Sequence, residues 1–124
     1  MNMNNSSYKE LLVWKTSMEE GLKLYKRIKN FPRYEQMALC FQMRKSIISI
    51  PSNIAEGHSR NSNKEFINFL SISRGSVAEL QTQIQFAIDM EYLNIHEGEE
   101  FIYKYNGIDI MLKKLMKSIQ NIKT

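Results

Sequence analysis

Apolar side chains in this chain recur every three or four residues, in four stretches separated by short polar breaks, and no Asn-Gly turn joins alternating runs. That spacing predicts four α-helices and no sheet. In the first stretch Leu11, Trp14, Met18, Leu22, Tyr25 and Ile28 form the line, and Asn30-Phe31-Pro32 ends it, because proline has no amide to continue a helix. The expected span is residues 9–29.

The second stretch starts just after Pro32, with Met37, Phe41, Arg44, Ile48, Pro51 and Ala55 on one seam. Pro51 removes the amide that would bond the carbonyl of Ile47, so a kink is expected inside a continuing helix, with Ser49 or Ser52 satisfying freed groups. The alternative is two short helices meeting at the proline. Gly57 reads as a C-cap opening the loop His58 to Ser62. Ser62-Asn63-Lys64-Glu65 then reads as a capping box for the third helix.

The third seam is Phe66, Leu70, Ser73, Val77, Leu80, Ile84, Ala87 and Glu91, held for about 26 residues, or roughly 39 Å at 1.5 Å per residue. Asn94 and Glu97 cap the fourth helix, whose seam is Phe101, Tyr105, Ile108, Leu112, Leu115 and Ile119. Short connections make successive helices antiparallel. The expected fold is therefore all-α, an antiparallel up-down-up-down four-helix bundle with helix 2 kinked at Pro51. Residues 9–122 form one domain, and residues 1–8 a frayed or disordered polar start. Gly75, between Ser73 and Ser76, either lets two helices approach closely or has no role.

A length of 124 residues with 43% apolar content suits one compact domain. Cys40 stands alone in the apolar run Met37 to Phe41, where packing is its expected role, and a reducing cytoplasmic setting follows. The first residues are polar and no run is long enough to span a bilayer, so neither export nor membrane insertion is expected.

Chemistry is sparse. Neither His58 nor His96 follows a glutamate by three residues, as a ferritin-like carboxylate site would need, and both fall in turns. With no nucleophile elbow and no phosphate-binding glycine loop, no metal, cofactor or enzyme activity is expected.

Three residue groups remain as candidates. Arg44, Pro51, Asn53, Glu56 and Gly57 read as a polar network that fixes the kink or makes a subunit contact, the rival being a ligand or nucleic-acid role. Leu39, Met43 and Ile50 on helix 2, with Phe69, Ile72 and Phe86 on helix 3, lie off the seams. They form either an oligomer face or a wider core face.

The third group is electrostatic. The chain carries 17 basic against 13 acidic side chains, a net charge of +4. From Val77 to Ile110 seven acids oppose Lys104 alone, a net of −6. In an up-down bundle Lys9, Lys15, Arg60, Lys64, Lys113, Lys114 and Lys117 gather near one pole, while Lys26, Arg27, Lys29 and Arg33 meet the acidic cluster at the other. The basic pole either binds RNA or DNA phosphates without strong sequence preference or is a solvated surface.

Leu12-Val13-Trp14-Lys15, Asn30-Phe31-Pro32 and the run Gln42 to Gly57, with its Ser49-Ile50-Pro51-Ser52-Asn53-Ile54-Ala55-Glu56-Gly57 core, resemble the bacterial 23S rRNA intervening-sequence proteins. Asn63 to Leu70 and Gly75 to Gln83 continue the likeness in order, over residues 10–93 in all. The resemblance implies a four-helix protomer, a pentameric ring, and kinship with accessory subunits of diversity-generating reverse transcriptases, where nucleic acid and polymerase are partners. His58 replaces a more usual aromatic and Lys45 a more usual arginine. The expected function is a self-assembling, nucleic-acid-associated scaffold or accessory factor; the alternative is an adaptor that binds only other proteins.

Overall fold

The computed structural model describes residues 7–122. Four helices account for most of it: α1 (Leu12–Arg27), α2 (Leu39–His58), α3 (Asn63–Asp89) and α4 (Ile95–Gln120), with 3₁₀ turns at Tyr8–Glu10, Ile28–Asn30 and Arg33–Glu35. No strand occurs among the described residues. Each helix packs on its neighbours in sequence, and α4 closes back onto α1.

Cross-helix pairs show that neighbours run antiparallel. Ser49 and Ser76 share a 2.8 Å hydrogen bond between α2 and α3, and Arg74 holds Asp109 at 2.8 Å between α3 and α4. Arg27 reaches Glu97 at 2.7 Å between α1 and the first turn of α4. The up-down-up-down bundle expected from the periodicity is the observed one.

Two start signals place their helices as expected, although the Glu65 carboxylate meets Arg60 and does not return the Ser62 bond as a full capping box would. The Ser62 hydroxyl accepts the Glu65 amide at 3.2 Å, and the Asn94 side chain accepts the Glu97 amide at 2.8 Å. Each cap satisfies a first-turn amide with no partner in its own helix and is worth about 1 kcal/mol. The seams of α3 and α4 also stand, since Leu70, Ser73, Leu80, Ile84, Tyr105, Ile108 and Leu112 are fully buried. The α3 seam stops short of Glu91, however. That residue takes a left-handed φ of 64° just past the helix end, where it turns the chain and stays exposed.

The seams of α1 and α2 are rotated from the expected ones. On α1 the inner line is Val13, Ser17, Gly21, Leu24 and Ile28, while Trp14, Met18 and Tyr25 are half-buried and Leu22 is exposed. On α2 it is Cys40, Met43, Ile47, Ile50 and Ile54, whereas Met37, Phe41 and Ile48 face solvent. Met43 and Ile50, expected on an oligomer face, are therefore core residues with no exposed surface. Small residues decide the rotation. With no side chain at Gly21, Ile47 comes within 3.0 Å of where a Cβ would stand and the Tyr105 hydroxyl within 3.8 Å.

Helix α2 begins later than expected, at Leu39. Its approach is organised by Arg44, which donates to the Gln36 side chain at 3.1 Å and to its carbonyl at 2.7 Å. Gln36 in turn donates to the carbonyls of Ile28 and Phe31 at 3.0 and 3.1 Å. Arg44 thus secures the α1–α2 connection and takes no part in a network at Pro51. The helix runs unbroken through Pro51 to His58.

Gly57 is likewise not a cap. It lies inside α2, and a Cβ there would stand 2.7 Å from the Phe69 Cβ, so its bare backbone is what lets α3 close onto α2. At Gly75, where close approach was one expectation, nothing among the described residues lies within 4 Å of a Cβ position. Cys40 is fully buried, with its thiol 3.7 Å from the Ile28 carbonyl. Burial raises its pKa, Arg44 offsets part of that, and Glu35 adds to it.

The expected frayed start falls mainly on residues 1–6, which lie outside the described residues. Ser7 caps the first 3₁₀ turn by accepting the Lys9 amide, and Tyr8 packs edge-on against Trp14 with ring centres 5.3 Å apart. No described helix is long and apolar enough to cross a membrane.

Candidate assembly and nucleic-acid interface

Trp14, Met18, Leu22 and Tyr25, expected in the core, instead line one wall of a groove between α1 and α2 whose other wall is Ile48, Pro51 and Ala55. Its volume is about 480 Å³, and nearly all its lining is apolar. A signal for it was present in the sequence. Helix α1 carries two adjacent apolar lines, and the one with small residues, Ser17 and Gly21, is the line that a tight helix contact selects.

A second apolar surface lies on the other flank of α2. Ile72, Phe86 and Met90 on α3 are 45%, 60% and 51% exposed, and Leu39 of α2 joins Phe86 and Met90 around a shallow hollow with Glu35 and Glu79. The expected oligomer face is thus divided. Ile72 and Phe86 lie at the surface, Leu39 is half-buried against the core, Met43 and Ile50 are core, and Phe69 is half-buried beneath Arg60.

The residues expected to form a kink network separate as well. Asn53 donates to the Ser49 carbonyl at 2.9 Å and to its hydroxyl at 3.0 Å, continuing the Ser49–Ser76 bond, and Ser73 donates to the Ile50 carbonyl at 2.9 Å. This polar ladder joins α2 to α3 beside Pro51. Glu56 is not part of it. Its half-exposed carboxylate pairs with Arg60 at 2.9 Å.

At the pole where α2 ends and α3 begins, Arg60 lies over the Phe69 ring, 5.0 Å from its centre, and also meets Glu65 at 3.6 Å. Arg60, Lys64 and Met116 line one hollow, which brings the α2–α3 turn to the last turns of α4. The first 3₁₀ turn, which carries Lys9, packs on α2. Lys113 leans back to Asp109 at 3.8 Å. Lys9, Lys15, Lys64, Lys114 and Lys117 are exposed and lie outside every ion pair among the described residues.

At the opposite pole Arg27 is paired, while Lys26, Lys29 and Arg33 are exposed and outside the described ion pairs. Arg27 bonds Glu97 and also donates to the Tyr92 carbonyl at 3.2 Å. The Tyr92 hydroxyl donates to Glu35 at 2.7 Å and accepts from Tyr34 at 3.1 Å. Its pKa is raised, first by the Tyr34 bond and then by Glu35. No group of three or more His, Cys, Asp or Glu side chains suited to a metal ion occurs among the described residues.

The chain is similar in structure to a protein of unknown function from the S23 ribosomal protein family of Bacteroides thetaiotaomicron. The TM-score is 0.77 at 26% identity, over 86% of this chain and 99% of the other. No match was found among curated proteins. The family model for the 23S rRNA-intervening sequence protein matches residues 9–114, which includes all of α1, α2 and α3 and most of α4. By that match, and with the bundle it folds into, the chain belongs to the 23S rRNA-intervening sequence protein family.

Proposed function

We propose that this protein is a self-associating, non-enzymatic bundle that serves as a nucleic-acid-associated scaffold or accessory factor. The observation that supports it best is the contrast between its two poles. Lys26, Arg27, Lys29 and Arg33 share their pole with Asp89, Glu91, Glu97, Glu99 and Glu100, whereas Lys64, Lys114 and Lys117 at the other have no acidic partner among the described residues. Flexible lysines on an open surface suit phosphates as point charges and carry little base selectivity. Self-association would multiply the pole and strengthen binding without new contacts in any one protomer.

A salt titration with fluorescent single- and double-stranded RNA and DNA tests this. Affinity is expected to fall linearly in log–log form, with a slope of about 0.9 per neutralised phosphate on duplex DNA. Absence of binding at low salt, or binding insensitive to salt, overturns the reading. The groove between α1 and α2 favours a second reading, an adaptor for another protein, because exposed apolar hollows on small domains mark association sites.

A further inference from the structure

Helix α4 packs on α1 and α3 and turns its remaining side to solvent. Along that side Tyr103, Asn106, Ile110, Lys114 and Lys117 follow one another at three- and four-residue steps, and all five are exposed. They form one row. From Tyr103 to Lys117 it runs roughly 21 Å at 1.5 Å per residue and ends in the basic pole.

Two features of this row have no use inside the bundle. Tyr103 is 74% exposed, the most exposed aromatic side chain among the described residues, and it joins none of the aromatic pairs found there. Gly107, one turn further on, lies inside α4, where glycine costs helix stability relative to alanine. Close packing does not account for it, since nothing among the described residues lies within 4 Å of a Cβ position. The result is a bare patch of backbone beside an outward-facing ring, a place where a flat group can lie close to the helix.

Charge along the row is one-sided. Lys114 and Lys117 lie outside every described ion pair, and Asp109, the one acid between Tyr103 and Lys117, is held by Arg74 at 2.8 Å and by Lys113 at 3.8 Å. Glu99, exposed one turn before Tyr103, marks where the surface turns acidic.

We propose that this row is a track for single-stranded nucleic acid, in which a base stacks on Tyr103 beside the bare backbone of Gly107 and neighbouring phosphates reach Lys114 and Lys117. The inference rests on the nucleic-acid reading above and gives it a face and a strandedness. Stacking on a side chain needs an unstacked base, which a single strand offers and a duplex does not. Lysines alone would hold either form through its phosphates.

Fluorescence anisotropy with wild type, Tyr103→Ala, Tyr103→Phe and Gly107→Gln tests it, with melting checked for each variant. The probes are the single strand, RNA or DNA, that wild type holds more tightly, an abasic strand of the same length, and a duplex. Tyr103→Ala is expected to weaken single-strand binding by about 5- to 150-fold with the salt slope unchanged, because a base contact is lost and no phosphate contact is. Tyr103→Phe keeps the ring and is expected to bind as wild type does. Gly107→Gln covers the bare backbone with a good helix former, so single-strand binding should weaken while the melting temperature holds or rises. The abasic strand and the duplex should bind all four proteins alike. If the single strand is held with a salt dependence but equally well by Tyr103→Ala or by Gly107→Gln, or if Tyr103→Ala weakens the duplex as much, the track is overturned while the nucleic-acid reading stands. Absence of binding to every probe at low salt overturns both.

Discussion

Arg27 and Glu97, seventy residues apart in sequence, meet through a 2.7 Å hydrogen bond that joins the end of α1 to the first turn of α4. The same guanidinium donates to the Tyr92 carbonyl and lies over the Phe31 ring, so one side chain gathers the α1–α2 and α3–α4 connections at this pole. Its carboxylate partner also sits in the first turn of α4, where the helix dipole favours a negative charge.

Replacing Arg27 by alanine is expected to cost about 1–3 kcal/mol in urea unfolding, because it removes charge-assisted bonds from a site roughly 30% exposed. Arg27→Lys should lose most of that, since an ammonium lacks the fork that reaches Glu97 and Tyr92 together. A double-mutant cycle with Glu97→Ala is expected to give a coupling of about 1 kcal/mol; additive effects would show that the pair is only incidental.

Gly57 and Gly107 should respond oppositely to alanine. A Cβ at Gly57 would stand 2.7 Å from the Phe69 Cβ, so α2 and α3 must move apart, at a cost of about 1–3 kcal/mol. At Gly107 nothing among the described residues lies within 4 Å of a Cβ position, and Gly107→Ala is expected to gain about 0.5–1 kcal/mol from helix propensity. Chemical denaturation of both variants measures the contrast.

Tyr105 is fully buried and its hydroxyl has no hydrogen-bond partner among the described residues, so Tyr105→Phe is expected to be neutral or to stabilise by about 1 kcal/mol at pH 7. Burial, followed by the charge of Glu20, holds the phenol pKa far above its ordinary value. The folded state therefore keeps this proton more tightly than the unfolded chain does. The associated stability is complete below about pH 10 and is lost as pH rises beyond it. Urea midpoints between about pH 9 and 11.5 should fall less steeply for Tyr105→Phe than for wild type, with Tyr92 leaving a residual slope.

For the basic pole, the combined change of Lys64, Lys114 and Lys117 to alanine should weaken binding to all sequences alike. It should also reduce the log–log salt slope by about one for each phosphate that is no longer neutralised. The three positions are exposed, so thermal stability should stay within about 0.5 kcal/mol of wild type. An unchanged slope would place any nucleic-acid binding elsewhere on the surface.

Much of the architecture was legible from local signals. The Ser62 and Asn94 caps act within one turn of chain, and the α3 seam keeps its period from Phe66 to Ala87, longer than the second, exposed line of Ile72 and Phe86. The α1 and α2 seams differ from expectation because each helix carries two adjacent apolar lines, and local spacing does not say which faces inward. Large side chains such as Trp14, Met18 and Leu22 suggest the core line, yet the tight contact is made where Ser17 and Gly21 leave room for Ile47 and Tyr105. Arg44 departs from expectation for a related reason. A basic residue among apolar ones signals that a partner is needed, and only the folded α1–α2 connection supplies Gln36.

By itself the sequence determined the helix count, the antiparallel order, the caps and the segregation of charge, because each follows from propensity and period over a few turns of chain. Tertiary structure alone decided which face of α1 and α2 is buried, that Gly57 serves close packing, and that Glu56 and Arg60 neutralise part of the basic pole. Those outcomes depend on how closely two helices approach and on which side chains meet across that gap, distances that no spacing within a single helix contains.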